Sequence, residues 1–468
     1  MLSVVRLPTS TVLSFDHLIV FCHHVAPVCP APFLSNPDAL EFLVACVRSP
    51  DIGTRICSQR ALIDACAQMD DSSENVRQSE PSSPRTLAFL HTYHRDREPH
   101  ISKVLKDEEK LTALANEYKT NQDCSHLELG QELAALISHC ESTVRAWTDR
   151  DAKGGAELLA MLRVCEEVVR NAADEGNGLD VPADILRIQI LVAEGEPHQA
   201  SSYAQEAIKR HPSVPFFYYT LACLGYGDRM ISRVLYADKG LQCVEGMTDY
   251  LHQQLLCITI RYSHLVVARM AEGLPPDLLV KELDALTGTA LANVNIFSRV
   301  APLDHSLMPL VSATGTHIEL IRNGHLWKDD KFRSARKSFT LICDIARCTG
   351  RVIPWKECYA LQRIVDHISS AWNTWGSVVS RQPKRPYEST MSDSDHSEVN
   401  IAAWFEKLNM TPCFLRAFEI QGMIPGGERR GTAQLHTCSY CNSGNAILKK
   451  CAGCQKAQYC DNICQKRH

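Results

Sequence analysis

Six cysteines crowd the end of the chain: Cys438-x2-Cys441-x9-Cys451-x2-Cys454-x5-Cys460-x3-Cys464. A C-x2-C pair closes a tight turn that points two thiolates at one ion. Zinc favours tetrahedral, sulfur-rich sites with bonds of about 2.3 Å. Cys460 and Cys464 stand at i and i+4, so one helical turn would set both on the same face. Such a helix can cap a site begun by a C-x2-C knuckle. A segment this short buries too little apolar surface to fold alone, and bound metal must supply the folding free energy. The expected cofactor is therefore Zn2+, with Cys438, Cys441, Cys451, Cys454, Cys460 and Cys464 as ligands.

The same stretch carries the dipeptides Tyr459-Cys460 and Cys464-Gln465. With them, residues 438–468 resemble a MYND-type zinc finger. The resemblance implies a cross-brace, in which Cys438, Cys441, Cys460 and Cys464 share one zinc and Cys451 and Cys454 begin a second. In that family a His and a Cys further along complete the second site, at positions that would lie past residue 468. The preferred reading is a chain that stops short of the family pattern; the alternative is that His468 is recruited. A first site made of four cysteines leaves no open position for water, so its zinc would be structural rather than catalytic. The resemblance also implies a protein-interaction module that takes proline-containing peptides, with Gln465 at the family's glutamine position. Nucleic acid is the less favoured partner. Lys449, Lys450, Lys456, Lys466 and Arg467 outnumber Asp461, but the thiolates offset much of that charge, and only Tyr440 and Tyr459 offer rings for stacking.

Catalytic motifs are not found. There is no phosphate-cradling P-loop, no G-x-S-x-G elbow and no H-E-x-x-H pair. MYND fingers also occur within SET-type lysine methyltransferases, but neither an Asn-His-Ser motif nor a Gly-Glu-Glu run leading to a Tyr is present; GGERR at 426–430 is a poor echo. His91, His94 and His100 lie near Asp96 and Glu98, but HTYHRDREPH is polar throughout and reads as a solvated loop. The chain is expected not to be an enzyme. A methyltransferase relative ranks below both an interaction scaffold and a nuclear transcriptional co-regulator working through the same finger.

Composition frames these readings. The 468 residues are 45% hydrophobic and 22% charged, an ordinary globular balance, and the net charge of −5 does not favour nucleic acid. Of 21 cysteines, fifteen are scattered before residue 414, as Cys140, Cys165 and Cys257 are on apolar stripes, and these read as small core hydrophobes. The apolar patch LIVFCHHVAPVC is too short to span a bilayer and lacks signal-peptide flanks. No membrane association is expected. An intracellular, reducing setting, cytoplasm or nucleus, follows for the thiols.

The elements that carry the finger read as mostly α: an irregular helical array, tetratricopeptide- or HEAT-like, followed by the small zinc-stabilised finger. Residues 1–69 form an N-terminal helical segment. In it Asn36 is placed to cap a helix starting at Pro37, and Ser49-Pro50-Asp51 restarts a second. The Ser/Pro-rich residues 70–84 read as a flexible linker. Residues 85–375 show helical period throughout, with stripes such as Leu133, Leu136, Cys140, Val144 and Trp147, and Leu158, Leu162, Cys165, Val169 and Ala172. Around 183–245, Gly195, Ala200, Ala204, Ala207 and Pro212 match the second half of a tetratricopeptide repeat, where small residues let two helices pack closely. Residues 376–400 read as a second linker and 401–430 as a short helical segment and loop. The combination resembles fungal proteins in which a long helical region precedes a MYND finger.

Overall fold

Local capping starts the N-terminal helices where the residue types place them. Asn36 accepts hydrogen bonds from the Asp38 and Ala39 amides at 3.0 and 3.3 Å, and Pro37 opens the helix. Asp51 accepts from the Thr54 amide at 2.7 Å and from its hydroxyl at 2.9 Å, while the Asp51 amide donates to Ser49 Oγ at 3.2 Å. These contacts end one helix and begin the next across Ser49-Pro50-Asp51.

The computed structural model describes residues 12–28, 30–67, 84–95, 98–120, 125–139, 155–224, 230–273, 276–349 and 355–381, with 436–437, 444–445, 449–450 and 458–459 near the C-terminus. The chain divides into two units, Met1–Glu388 and Ser389–His468.

The first unit is helical wherever it is described in regular structure. Its helices are α1 (Val12–Val25), α2 (Ala31–Ser35), α3 (Pro37–Cys46), α4 (Ile52–Ala67), α5 (Pro84–Tyr93), α6 (His100–Thr120), α7 (His126–His139), α8 (Gly155–Asp174), α9 (Asp180–Ala193), α10 (Pro197–Arg210), α11 (Pro215–Leu224), α12 (Met230–Leu241), α13 (Asp249–Gly273), α14 (Pro276–Val300), α15 (Met308–Asn323), α16 (Asp329–Cys348) and α17 (Lys356–Val379), with one 3-10 turn at Gly324–Leu326. From α6 onward each helix packs on the next in sequence. Several also touch the next but one, as α7 does α9, α11 does α13 and α15 does α17. That pattern is an irregular helical array, in which each helix buries one stripe against its neighbours.

The stripes face inward as their spacing requires. Leu162, Cys165 and Val169 of α8 are buried with Leu133, Leu136 and Ile137 of α7 and Leu186 of α9. Cys140, Val144 and Trp147, expected on the α7 stripe, lie outside the described residues. Ala200, Ala204 and Ala207 put the small-residue face of α10 wholly inside, and Gly195 takes a left-handed φ of 77° at the turn between α9 and α10. Leu256, Phe297, Leu310 and Val311 form a second core between α13, α14 and α15.

The N-terminal helices do not stand apart. α3 lies along α17, and α4 packs against α1, α13, α15 and α17. Phe42 meets Phe15 and Trp375 edge to face, at ring separations of 5.6 and 5.2 Å. Arg55, a buried guanidinium, donates to Ile321 O at 2.7 Å, Ser49 O at 2.6 Å, Pro50 O at 3.1 Å and Arg322 O at 3.3 Å. It thereby caps the last carbonyls of α15 with a side chain from α4. Burial pushes its pKa down to about 10. The final helix runs past residue 375 to Val379, because Trp375, Val378 and Val379 continue its buried face.

Among the described residues of the second unit there are four two-residue strands: β1 (His436–Thr437), β2 (Gly444–Asn445), β3 (Lys449–Lys450) and β4 (Gln458–Tyr459). β1 pairs antiparallel with β2, His436 opposite Asn445 and Thr437 opposite Gly444. β3 pairs antiparallel with β4, Lys449 opposite Tyr459 and Lys450 opposite Gln458. The segment expected over 401–430 lies outside the described residues.

Candidate functional site

The two short hairpins frame the cysteine cluster. Cys438 follows β1 directly, and Cys438 and Cys441 both fall in the connection from β1 to β2. Cys451 follows β3, and Cys451 and Cys454 fall in the connection from β3 to β4. Cys460 follows β4 directly, and Cys464 comes four residues later. The six cysteines themselves, with Gln465 and His468, lie outside the described residues. Cα atoms of β1 and β4 come within 8 Å of one another, so the backbone that leads into Cys438 runs near the backbone that leads into Cys460. The donor set is chemically uniform: six thiols, two of the three pairs at C-x2-C spacing, a set suited to Zn2+.

The helical unit contains polar clusters that the sequence did not reveal. Asp184 of α9 is a buried carboxylate. It accepts hydrogen bonds from Arg170 Nη1 of α8 at 2.9 Å and, from α10, Tyr203 Oη at 2.7 Å and Arg210 Nη2 at 2.8 Å. Burial opposes its ionisation, but the bonds from Arg210, Tyr203 and Arg170 outweigh that and hold its pKa below the ordinary carboxylate range. Burial and the bond to Asp184 push Tyr203 up to about 12. The cluster clasps three consecutive helices. Its carboxylate is fully engaged, which makes it a structural centre.

The described residues of the polar stretch HTYHRDREPH are not all solvated: His91, Thr92, Arg95 and Glu98 are exposed, but Tyr93, His94 and His100 make contacts. Tyr93 Oη accepts from the Leu303 amide at 3.0 Å, and the His100 amide donates to Asp304 Oδ2 at 2.7 Å. His94 Nε2 lies 3.6 Å from that same oxygen, and the His100 and His305 rings sit 4.2 Å apart. Tyr93 and His94 at the end of α5 and His100 at the start of α6 are thus docked on the loop before α15. His91 stays exposed, Glu98 pairs with Lys106 at the surface, and Asp96 is not among the described residues. The polar run concealed the docking because Asp304, its partner, is far away in sequence. Among the described residues no group of three or more His, Cys, Asp or Glu side chains is arranged to hold a metal.

A third cluster sits where α4, α13, α15 and α17 meet. His264 and His317 stack with ring centroids 5.6 Å apart, both buried. His317 Nε2 lies 3.0 Å from Glu357 O and Nδ1 lies 3.1 Å from Gln59 Oε1. A neutral imidazole carries one N–H, which donates from Nε2 to the carbonyl; Nδ1 then accepts from the Gln59 amide turned to present its NH2 group.

Seven of the described scattered cysteines are buried as core residues, while Cys57, Cys243 and Cys348 are half-buried and Cys223 is exposed. Cys165 and Cys257 are buried, and burial pushes the Cys22 and Cys343 thiols up to about 12, the direction that makes a thiol inert. Among the described residues no helix is long and apolar enough to cross a membrane. No family model, curated protein or solved structure matches the chain.

Proposed function

We propose that the protein is a zinc-binding interaction scaffold, in which a C-terminal MYND-type finger recognises partner peptides and a tetratricopeptide-like helical array offers a second surface. The observation that supports this reading is the order of the cysteines in sequence relative to the paired strands. Each C-x2-C pair occupies the connection of one antiparallel strand pair, and β1, which precedes the first pair, approaches β4, which precedes the third. That approach agrees with Cys438, Cys441, Cys460 and Cys464 sharing one zinc, while Cys451 and Cys454 begin another. Four thiolates on one ion leave no place for a reacting water, so the metal's contribution is folding free energy. The tetratricopeptide-like part of the reading rests on the wholly buried Ala200, Ala204 and Ala207 and on the turn at Gly195.

Native mass spectrometry with metal analysis of the full chain tests the metal. The expected result is at least one zinc per chain, lost in Cys438→Ser, together with weakened binding of a proline-containing peptide library. A chain purified without zinc, and not taking it up when reconstituted under reducing conditions, overturns the reading.

A further inference from the structure

We propose that the seam between α4 and the helices α13, α15 and α17 is an acid-released joint, opened when the stacked His264–His317 pair takes up protons. The pair is sealed between the N-terminal helices and the end of the array, and both rings are inside. His317 is partly compensated: burial holds its pKa below that of a free imidazole, but against this an imidazolium there donates to Glu357 O and, with the Gln59 amide turned the other way, to Gln59 Oε1. Among the described residues His264 has no such compensation. Burial, then the neighbouring His317, Arg60 and Lys356, all disfavour its charged form and hold its pKa well below that of a free imidazole.

The charged groups around the pair come from every helix of the seam. α4 brings Arg60 and Asp64, which pair with each other, and α17 brings Lys356, 3.3 Å from Asp64. Asp64 is thus committed to two cations. Glu357 of α17 is buried with Oε1 3.8 Å from Arg261 Nε of α13, and among the described residues its Oε2 has no hydrogen-bond partner. Asp284 of α14 and Glu319 of α15 face Arg322 and Lys331 at the surface. Asp64 already serves two cations and Glu357 favours a proton on His317, so a proton on His264, beside His317, Arg60 and Lys356, meets like charge.

Packing at the seam is also incomplete. A small cavity of about 10 Å3, at the lower limit for a single water, lies beside His264 and is lined by Ile56, Arg60, Ala268 and Ile321 among others. Water entering there reaches the imidazole once α4 lifts. A charged His264 is hydrated in the opened seam and buried in the closed one, so falling pH favours opening. The sign follows from linkage: a His whose pKa is lowered in the closed form stabilises that form above the free imidazole pKa of about 6.5, and the contribution is lost as pH falls below it. Going from about pH 7.5 to about pH 5.5 raises the opening equilibrium about tenfold for each imidazole whose proton uptake requires opening.

Hydrogen exchange of the full chain at those two pH values, corrected for intrinsic rates, tests the joint. The expected result is a loss of protection of about tenfold or more in α4 and α15, with α7 to α11 unchanged, and a clearly weaker response in His264→Gln. Unchanged protection in the wild-type chain, equal loss in all helices, or the same pH response in His264→Gln overturns the proposal. Should that variant fail to fold, C2–H exchange of His264 in the wild-type chain decides. Titration coinciding with α4 opening supports the joint, and titration with α4 still protected overturns it.

Discussion

At the scale of single residues, close backbone approach and buried charge decide where this chain tolerates change. Gly324, in the 3-10 turn after α15, touches the end of α3 so closely that an added Cβ would stand 2.3 Å from Val47 O. A backbone oxygen cannot swing aside as a side chain does. Gly324→Ala should therefore cost about 1–3 kcal/mol in a urea melt. Gly288, within α14, has nothing within 4 Å of the same added atom. Gly288→Ala should stabilise by about 0.5–1 kcal/mol, because the helix loses glycine's excess unfolded-state freedom. The pair separates space from propensity: if both substitutions shift the midpoint alike, the close approach at Gly324 does not hold the seam. Neither site announces itself in sequence, since both are single glycines among helical residues.

At the scale of elements, the small-residue face of α10 sets how near α9 and α11 can come. Ala200, Ala204 and Ala207 are wholly buried and form a narrow methyl stripe along the helix, flanked by the partly buried Tyr203 and Ile208. Replacing the middle one, Ala204→Leu, forces the helices apart and should cost about 1–3 kcal/mol, read as a lower urea midpoint at an unchanged slope. A neutral outcome would mean that α10 packs loosely and that the repeat-like spacing has no structural weight. This face was legible in the sequence, as were the Asn36 cap and the restart at Asp51, because each depends on neighbours within a turn or two. The Asp184 clasp was not, since Arg170, Asp184, Tyr203 and Arg210 belong to three helices and only packing shows that they converge.

At the scale of the whole molecule, the N-terminal helices and the end of the array form one folding unit. Residues 1–69 read in sequence as a separate segment before a linker. In the structure α3 and α4 cover α17 and α15, and Phe42 covers Trp375, which is fully buried. Starting the chain at residue 84 strips that cover and leaves the carbonyls at Ile321 and Arg322 without Arg55. Such a chain should be insoluble or lose cooperative unfolding, and restoring residues 1–83 as a separate polypeptide should rescue it. A soluble, cooperatively melting chain from residue 84 would show that the array is complete without them.

The sequence by itself determined what depends on short spacing. Helical period, caps and the small-residue face of α10 are all written within windows of a few residues, where geometry follows from 3.6 residues per turn. Only the tertiary structure decided which distant groups meet. Tyr93, His94 and His100 of the polar stretch became docked because Asp304 lies across from them, and α3 and α4 joined the far end of the array because their apolar faces match that of α17. The physical reason is the same in both cases. Burial and charge pairing are settled by contacts between segments hundreds of residues apart, and no local pattern in a single chain encodes which of many apolar faces or carboxylates will be the partner.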